Sequence, residues 1–189
     1  MKTHYQRRVM MIEVTYIDQM GSDLSVVNAA RVSFGKKSHC EDTLWVDMGD
    51  WCVDMPVVND RDAKLINYLA KHGHYSPFGH AFASFHVKAP IFVARQLVKH
   101  KFLRWNEISR RYVDDDPEFY VPDEWRGRSA DKKQGSEGVV DLGQLAEEVE
   151  VETGSAAEMY YMLIESGVAP EQARMVLPQS TMTEWYWSG

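Results

Sequence analysis

Residues 99–112, KHKFLRWNEISRRY, gather Lys99, Lys101, Arg104, Arg110 and Arg111 around a single carboxylate, Glu107, in a 189-residue chain whose formal net charge is −7. Like charge packed this densely repels itself unless an anion sits among it. Asn106 and Ser109 add side chains that read polar edges, so the stretch suits a ligand with a negative end and a hydrogen-bonding ring. A nucleotide has that chemistry.

Working outward, residues 90–99 read as a helix begun by Pro90 in its first turn. Val93, Ala94, Leu97 and Val98 project onto a core face. Gln96 and Lys99, three apart, are neighbours on another arc, so the helix end is expected to deliver Gln96, Lys99 and His100 to one place. Residues 81–87 alternate as a strand, with Phe85 and Val87 on one face and Ser84 and His86 on the other. Before them, Asn59 offers an N-cap, Asp62 stands at the capping-box position, and Leu65, Ile66 and Leu69 form an apolar stripe that stops at Gly73. Residues 9–17, VMMIEVTYI, read as a first strand, and 23–32 as a short helix with Leu24, Val27 and Ala30 at helical spacing. Residues 35–56 show no clean period and are expected to be an insertion or lid-like loop.

Downstream, DDDPE (114–118) reads as a turn and EFYVP (118–122) as a short extended piece. The polar, glycine-containing 126–138 is expected to be a mobile loop. A long helix follows over 142–166, using Leu145, Val149, Tyr160 and Leu163 and interrupted at Gly154. Pro170 starts a further helix carrying Arg174, and 181–187 reads as a strand. No repeat or low-complexity tract is present.

The length fits one domain with a sizeable core, and 44% hydrophobic with 12% aromatic residues indicates a packed globule. The acidic balance argues against a general nucleic-acid binder, which carries a basic face over the whole domain. Cys40 and Cys52 make no disulfide framework and lack metal-binding spacing. No signal-peptide pattern and no apolar run long enough to span a membrane occurs, so a cytoplasmic setting is expected. Neither GxGxxG nor GxxxxGK[ST] is present, which leaves phosphate binding to side chains.

The 99–112 stretch resembles the RHRxxSxNExSxRY signature of the flavin-dependent thymidylate synthases, with His100, Asn106, Glu107, Ser109, Arg111 and Tyr112 at matching positions. AARVSFG (29–35), HGHYSPFGH (72–80), FHVKAPIFVARQ (85–96), EFYVP and ARMVLP (173–178) resemble the same family, in the same order. The resemblance implies an α+β fold: one domain over residues 1–189, with a central, mostly antiparallel sheet and flanking helices. It further implies a homotetramer with sites shared between subunits, and reductive methylation of dUMP to dTMP with FAD, methylenetetrahydrofolate and NADPH.

By the same resemblance, Gln96, Lys99, Glu107, Ser109, Arg110, Arg111 and Arg174 would surround dUMP, with Arg174, Ser109 and Glu107 at the catalytic centre. Ser33, His74, Ser76, Lys99, His100, Lys101, Asn106 and Glu107 would line FAD. The chain departs from the signature at three positions. Lys99 and Lys101 replace arginines, keeping the charge but losing the planar bidentate fork. Arg104 stands where the family has serine.

A metal reading of His72, His74, His80 and His86 lacks the regular helical i, i+4 pair of zinc enzymes. No metal is therefore expected. A cysteine nucleophile adding to the pyrimidine is disfavoured, since Cys40 and Cys52 lie outside the matched motifs. Three alternatives stand beside the main reading: the same fold with altered chemistry such as dUMP hydroxymethylation, an inactive nucleotide or flavin binder, and a single-strand nucleic-acid module using Phe102 and Trp105 as stacking groups. Trp51, Trp105, Trp125, Trp185 and Trp187 are expected mainly in cores or interfaces. Family members continue beyond the TEWYW strand (183–187) into a helical segment with further flavin- and nucleotide-binding residues. The chain is therefore expected to be a fragment that binds FAD weakly.

Overall fold

The computed structural model describes residues 10–40, 42–47, 52–112, 116–131 and 135–189. In chain order the elements are β1 (Glu13–Met20), α1 (Asp23–Arg31), β2 (Thr43–Asp47), β3 (Cys52–Pro56), α2 (Asp60–Lys71), β4 (Phe82–Pro90) and α3 (Ile91–Leu97). They continue with β5 (Arg104–Glu107), β6 (Arg126–Arg128), β7 (Ser136–Val139), α4 (Gln144–Glu165), α5 (Pro170–Ala173) and β8 (Met182–Ser188). Short 3-10 turns lie at Val32–Phe34, Ser76–His80 and Arg174–Val176. The fold is α+β: one sheet takes the order β1-β4-β8-β5, and β2-β3 and β6-β7 form separate hairpins. Strands β4 and β8 run antiparallel. Ala83 and Gly189 exchange both backbone hydrogen bonds (3.0 and 3.1 Å), and the Ser84 and Ser188 hydroxyls meet at 2.9 Å.

The described residues divide into two compact units. The first comprises Val14–His86, Lys101–Asn106 and Tyr186–Gly189. Its core includes Val26, Val27 and Leu69, from the apolar faces of α1 and α2. Helix α2 begins as the sequence predicts, because the Asp62 N–H donates to the Asn59 side-chain oxygen at 3.0 Å. It ends equally locally. Gly73 adopts φ +70°, its N–H reaching Ala70 O at 3.3 Å while the His74 N–H reaches Leu69 O at 2.9 Å. This double closure needs a left-handed residue, which glycine supplies without a Cβ clash, and it turns the chain into the histidine-rich segment.

Two expectations in this unit fail. The first strand occupies Glu13–Met20 instead of 9–17. It is an edge strand, mostly exposed, so pairing with its neighbour sets its limits and hydrophobicity does not; Val9 lies outside the described residues. The expected insertion or lid-like loop contains the β2-β3 hairpin, paired antiparallel from Thr43↔Pro56 to Asp47↔Cys52.

The second unit comprises Val87–His100 and Glu107–Trp185, with residues 10–13. Its core holds Val87, Ala89, Ala94, Phe119, Ala157, Tyr160, Met182 and Trp185. The first amides of α3 are satisfied by outside carbonyls: the Ile91 N–H donates to Thr181 O at 2.9 Å and the Phe92 N–H to Gln179 O at 3.2 Å. Phe119 forms a bridge with Thr181, so EFYVP is extended as read; residues 113–115 of the preceding turn lie outside the described residues. The expected mobile loop at 126–138 is replaced in part by the β6-β7 hairpin. Helix α4 passes through Gly154 unbroken. Glycine in a helix interior costs only about 1 kcal/mol, which the packing of Thr153, Ala157 and Tyr160 outweighs.

Candidate active site

The second unit builds its site around Glu107, the last residue of β5. The Arg95 guanidinium, on α3, donates from one nitrogen to both Glu107 carboxylate oxygens at 2.8 and 3.1 Å. The Thr183 hydroxyl, on β8, donates to Glu107 Oε1 at 2.8 Å. The ladder continues past the site, the Ile108 N–H donating to Glu184 O at 2.9 Å. Glu107 is therefore held from a helix and a strand at once. Its side chain is 18% exposed and that of Arg95 50%, so the pair is partly accessible to solvent.

Immediately after Glu107 the chain turns around Ser109, whose carbonyl accepts from the Tyr112 N–H at 3.0 Å and whose hydroxyl accepts from the Arg111 N–H at 3.3 Å. The Arg111 guanidinium lies 5.4 Å from the centre of the Tyr112 ring. Lys99, His100, Arg111 and Tyr112 are exposed, Ser109 and Arg110 half-buried. Arg174 is exposed where α5 passes into a 3-10 turn, anchored by the buried Ala173. The 90–99 helix needs correction, for it stops at Leu97. Val98, expected on the core face, is exposed, and Lys99 lies in the turn beyond the helix, so Gln96 and Lys99 do not share a helical arc.

The predicted flavin contacts Ser33, His74, Ser76, Lys101 and Asn106 lie in the first unit and are exposed. Residues 72–80 and 101–106 come together there through Tyr75 and Phe102, whose rings lie 6.1 Å apart at 34°. These rings are 65% and 81% exposed. Large aromatic faces left open beside His74, Ser76 and Lys101 are what a flat, anionic cofactor requires, so the residues present fit a flavin. Lys99, His100 and Glu107 of the same predicted set belong to the second unit. His86 stacks on Tyr186 at 5.3 Å, a packing role. Trp185 is core, as expected, while Trp51 lies outside the described residues.

Beside Glu107, a cavity of about 310 Å³ is lined by Lys88, Arg110, Asp116, Glu118, Thr183 and Glu184, among others. Lys88 and Glu118 pair at 2.6 Å. The Tyr161 hydroxyl donates to Asp116 at 3.0 Å, and burial together with that carboxylate pushes its pKa up to about 12. Tyr161 is thus a permanent donor at neutral pH. Sequence reasoning missed Arg95, Thr183 and Tyr75. All three stood within quoted stretches without being singled out; Arg95 and Thr183 reach Glu107 across 12 and 76 residues of chain, pairings no local pattern encodes.

Residues 15–189 match the family model described as thymidylate synthase complementing protein. The chain is 41% identical over 175 residues to a flavin-dependent thymidylate synthase of Thermosipho africanus, covering 91% of this chain and 69% of that protein. It is 44% identical over 177 residues to a flavin-dependent thymidylate synthase of Thermus thermophilus, covering 92% of this chain and 58% of that protein. Among solved structures, a UMP/dUMP methylase from Streptomyces cacaoi bound with 5-Br dUMP superposes with a TM-score of 0.73 at 34% identity, covering 95% of this chain and 74% of that one. A match that runs through nearly all of the chain, and through every motif around Glu107, places it by descent: the chain belongs to the flavin-dependent thymidylate synthase family.

Proposed function

We propose that this chain carries out the reductive methylation of dUMP to dTMP, with FAD as the flavin, methylenetetrahydrofolate as carbon donor and NADPH as reductant. The observation that carries this reading is the Glu107 carboxylate, fixed by Arg95 and Thr183, partly exposed, and followed closely in the chain by Ser109, Arg110 and Arg111. Glu107 orients the pyrimidine by accepting from a ring N–H. Arg111, Lys99 and Arg174 take the phosphate, and Gln96 and Ser109 contribute orienting hydrogen bonds. Fixed cations and amides near the ring also favour the negative charge that develops on it. Tyr75, Phe102, His74, Ser76, Lys101 and Asn106 hold the flavin, with Ser33, Lys99 and His100 completing its contacts. Bound flavin would supply the hydride chemistry, with no cysteine adding to the pyrimidine.

Residues 1–189 act in this reading as one catalytic domain, assembled with copies of itself into a homotetramer in the cytoplasm. No helix among the described residues is long and apolar enough to cross a membrane. The test is an absorbance spectrum of the purified protein, followed by mass analysis of the product from dUMP with methylenetetrahydrofolate and NADPH. A flavin band and a product heavier by one CH2 support the reading. A product carrying CH2OH, or a colourless protein that binds single-stranded oligonucleotides, overturns it. The same assay with UMP in place of dUMP tests the sugar preference, since the Streptomyces cacaoi protein is described as a UMP/dUMP methylase.

A further inference from the structure

A second cavity, wholly within the first unit, lies between the end of α1 and the start of α2. It measures about 420 Å³ and is lined by Arg31, Phe34, Lys36, Arg61, Lys64 and Leu65, among others. Its electrostatics differ in kind from those of the cavity beside Glu107, where Asp116, Glu118 and Glu184 offset Lys88 and Arg110. Here four cations line the space and, among the described residues, no carboxylate does. Arg61 lies in the first turn of α2 between Asp60 and Asp62, and Lys64 follows it three residues on as a like-charged neighbour. Such an arrangement is favourable once an anion is bound.

One of the four cations is fixed in place. The Arg31 guanidinium pairs with Asp62, which is 1% exposed and is itself held by the Asn59 side chain at 3.3 Å. The Arg31 Nε is buried and lacks a hydrogen-bond partner among the described residues. Phe34 follows on a 3-10 turn closed by the Gly35 N–H to Val32 O bond at 3.0 Å, and it leaves its ring 78% exposed at the rim. A flat apolar face beside a ring of cations selects an aromatic ligand with several phosphate charges. Ser33, a residue of the flavin set, is in the same turn as Phe34.

We infer that this cavity binds the phosphorylated adenosine end of the nicotinamide dinucleotide reductant, with Phe34 against the base and Arg31, Lys36, Arg61 and Lys64 on the 2′-phosphate and pyrophosphate. The inference rests on the reading above only in naming the reductant as the dinucleotide's source. With Arg31 offset by Asp62, the cations Lys36, Arg61 and Lys64 match the three phosphate groups of NADPH better than the two of NADH, so the site also sets the preference between them.

The probe is adenosine 2′,5′-bisphosphate, titrated calorimetrically against the whole chain, with inorganic phosphate, 5′-AMP and a single-stranded oligonucleotide as competitors. Adenosine bisphosphate is expected to bind more tightly than 5′-AMP or phosphate, and Lys36→Glu with Lys64→Glu is expected to weaken it at least about tenfold, two interactions of charge with phosphate being reversed. Lys36→Arg with Lys64→Arg should retain binding, which separates loss of charge from loss of fold. Phe34→Ala should lower affinity for the bisphosphate but not for phosphate. With NADPH and NADH as alternative reductants, the Glu variant should bring the two KM values together. Equal binding of the bisphosphate by wild type and Glu variant, or displacement by phosphate and oligonucleotide as readily as by the bisphosphate, would overturn the inference. Absence of flavin from a protein that still binds the bisphosphate would refute the proposed function alone.

Discussion

Two arginine–carboxylate pairs organise the two units, and they are built for different ends. Arg31 and Asp62 tie α1 to α2 with side chains 15% and 2% exposed, whereas Arg95 and Glu107 tie α3 to β5 with side chains 50% and 18% exposed. Burial alone would raise the Asp62 pKa, but hydrogen bonds from Arg31 and Ser38 and the charges of Arg31 and Arg61 outweigh it and hold the carboxyl below its ordinary value. Every bond of that carboxylate is spent inside the fold. Glu107, by contrast, is held by Arg95 and Thr183 while its side chain keeps partial exposure, as the proposed ligand contact requires. The same residue types thus form a buried clamp in one place and, in the proposed reading, a recognition group in the other.

The largest effect should come from the open pair. Replacing Glu107 with Gln keeps the shape but removes the carboxylate proposed to accept from the pyrimidine, and kcat/KM for dUMP should fall by about 10²–10³, the scale on which a fixed polar group at a reacting ring acts. The melting temperature should hardly move. A variant with wild-type turnover would remove Glu107 from the catalytic centre and erase the contrast between the two pairs.

The buried pair should respond in the opposite way. Asp62→Asn leaves the Arg31 charge enclosed without its counter-ion and should cost about 3 kcal/mol of stability, measured by denaturant unfolding. Because the folded-state pKa lies below the ordinary value of 3.8, the stabilisation is fully present above that pH and is lost as pH falls through the folded value. Unfolding free energy of the wild type should therefore decline below about pH 4, and the Asn variant should show a shallower decline. Equal slopes for the two proteins would show that Asp62 does not govern the acid limb.

A third, smaller effect tests how Glu107 is oriented. Thr183→Val removes the 2.8 Å hydrogen bond while preserving the branched shape, and a bond to a charged acceptor contributes about 1.5–3 kcal/mol. KM for dUMP should rise about tenfold, with Thr183→Ser restoring it. Failure of Ser to rescue would show that Thr183 acts by packing beside Trp185 and Met182 and not by holding the carboxylate.

How far these pairs were legible differs for the same physical reason. Asn59, Asp62 and Gly73 announce α2 because capping is local chemistry, readable from residues within one turn. Glu107 was legible from its motif, but its partners were not, since a sheet brings Thr183 to it from the far end of the chain. The two hairpins escaped notice because their strands are five, five, three and four residues long, and β2, β6 and β7 are mostly exposed. A strand without a buried face has no alternation to show. The end of α3 was misjudged likewise: Val98 continued the apolar pattern, yet the helix had already closed at Leu97.

The smallest effect concerns the region least readable in sequence. Cys40 precedes the β2-β3 hairpin and Cys52 opens β3; both are free thiols. The Cys40 thiol donates to the carbonyls of Asp42 and Val57, the second at 3.0 Å, so it closes the base of the hairpin. A serine hydroxyl can donate to either carbonyl, and Cys52 is exposed, so the double Ser variant should change stability by no more than about 0.5 kcal/mol. Turnover should be unchanged, because neither thiol belongs to the Glu107 centre or to the Tyr75 and Phe102 face. Complete loss of turnover by a folded, flavin-loaded double variant would put a nucleophilic thiol into the reaction. The hairpin would then count as catalytic machinery, and the division between a structural clamp and an open recognition site would have to be redrawn.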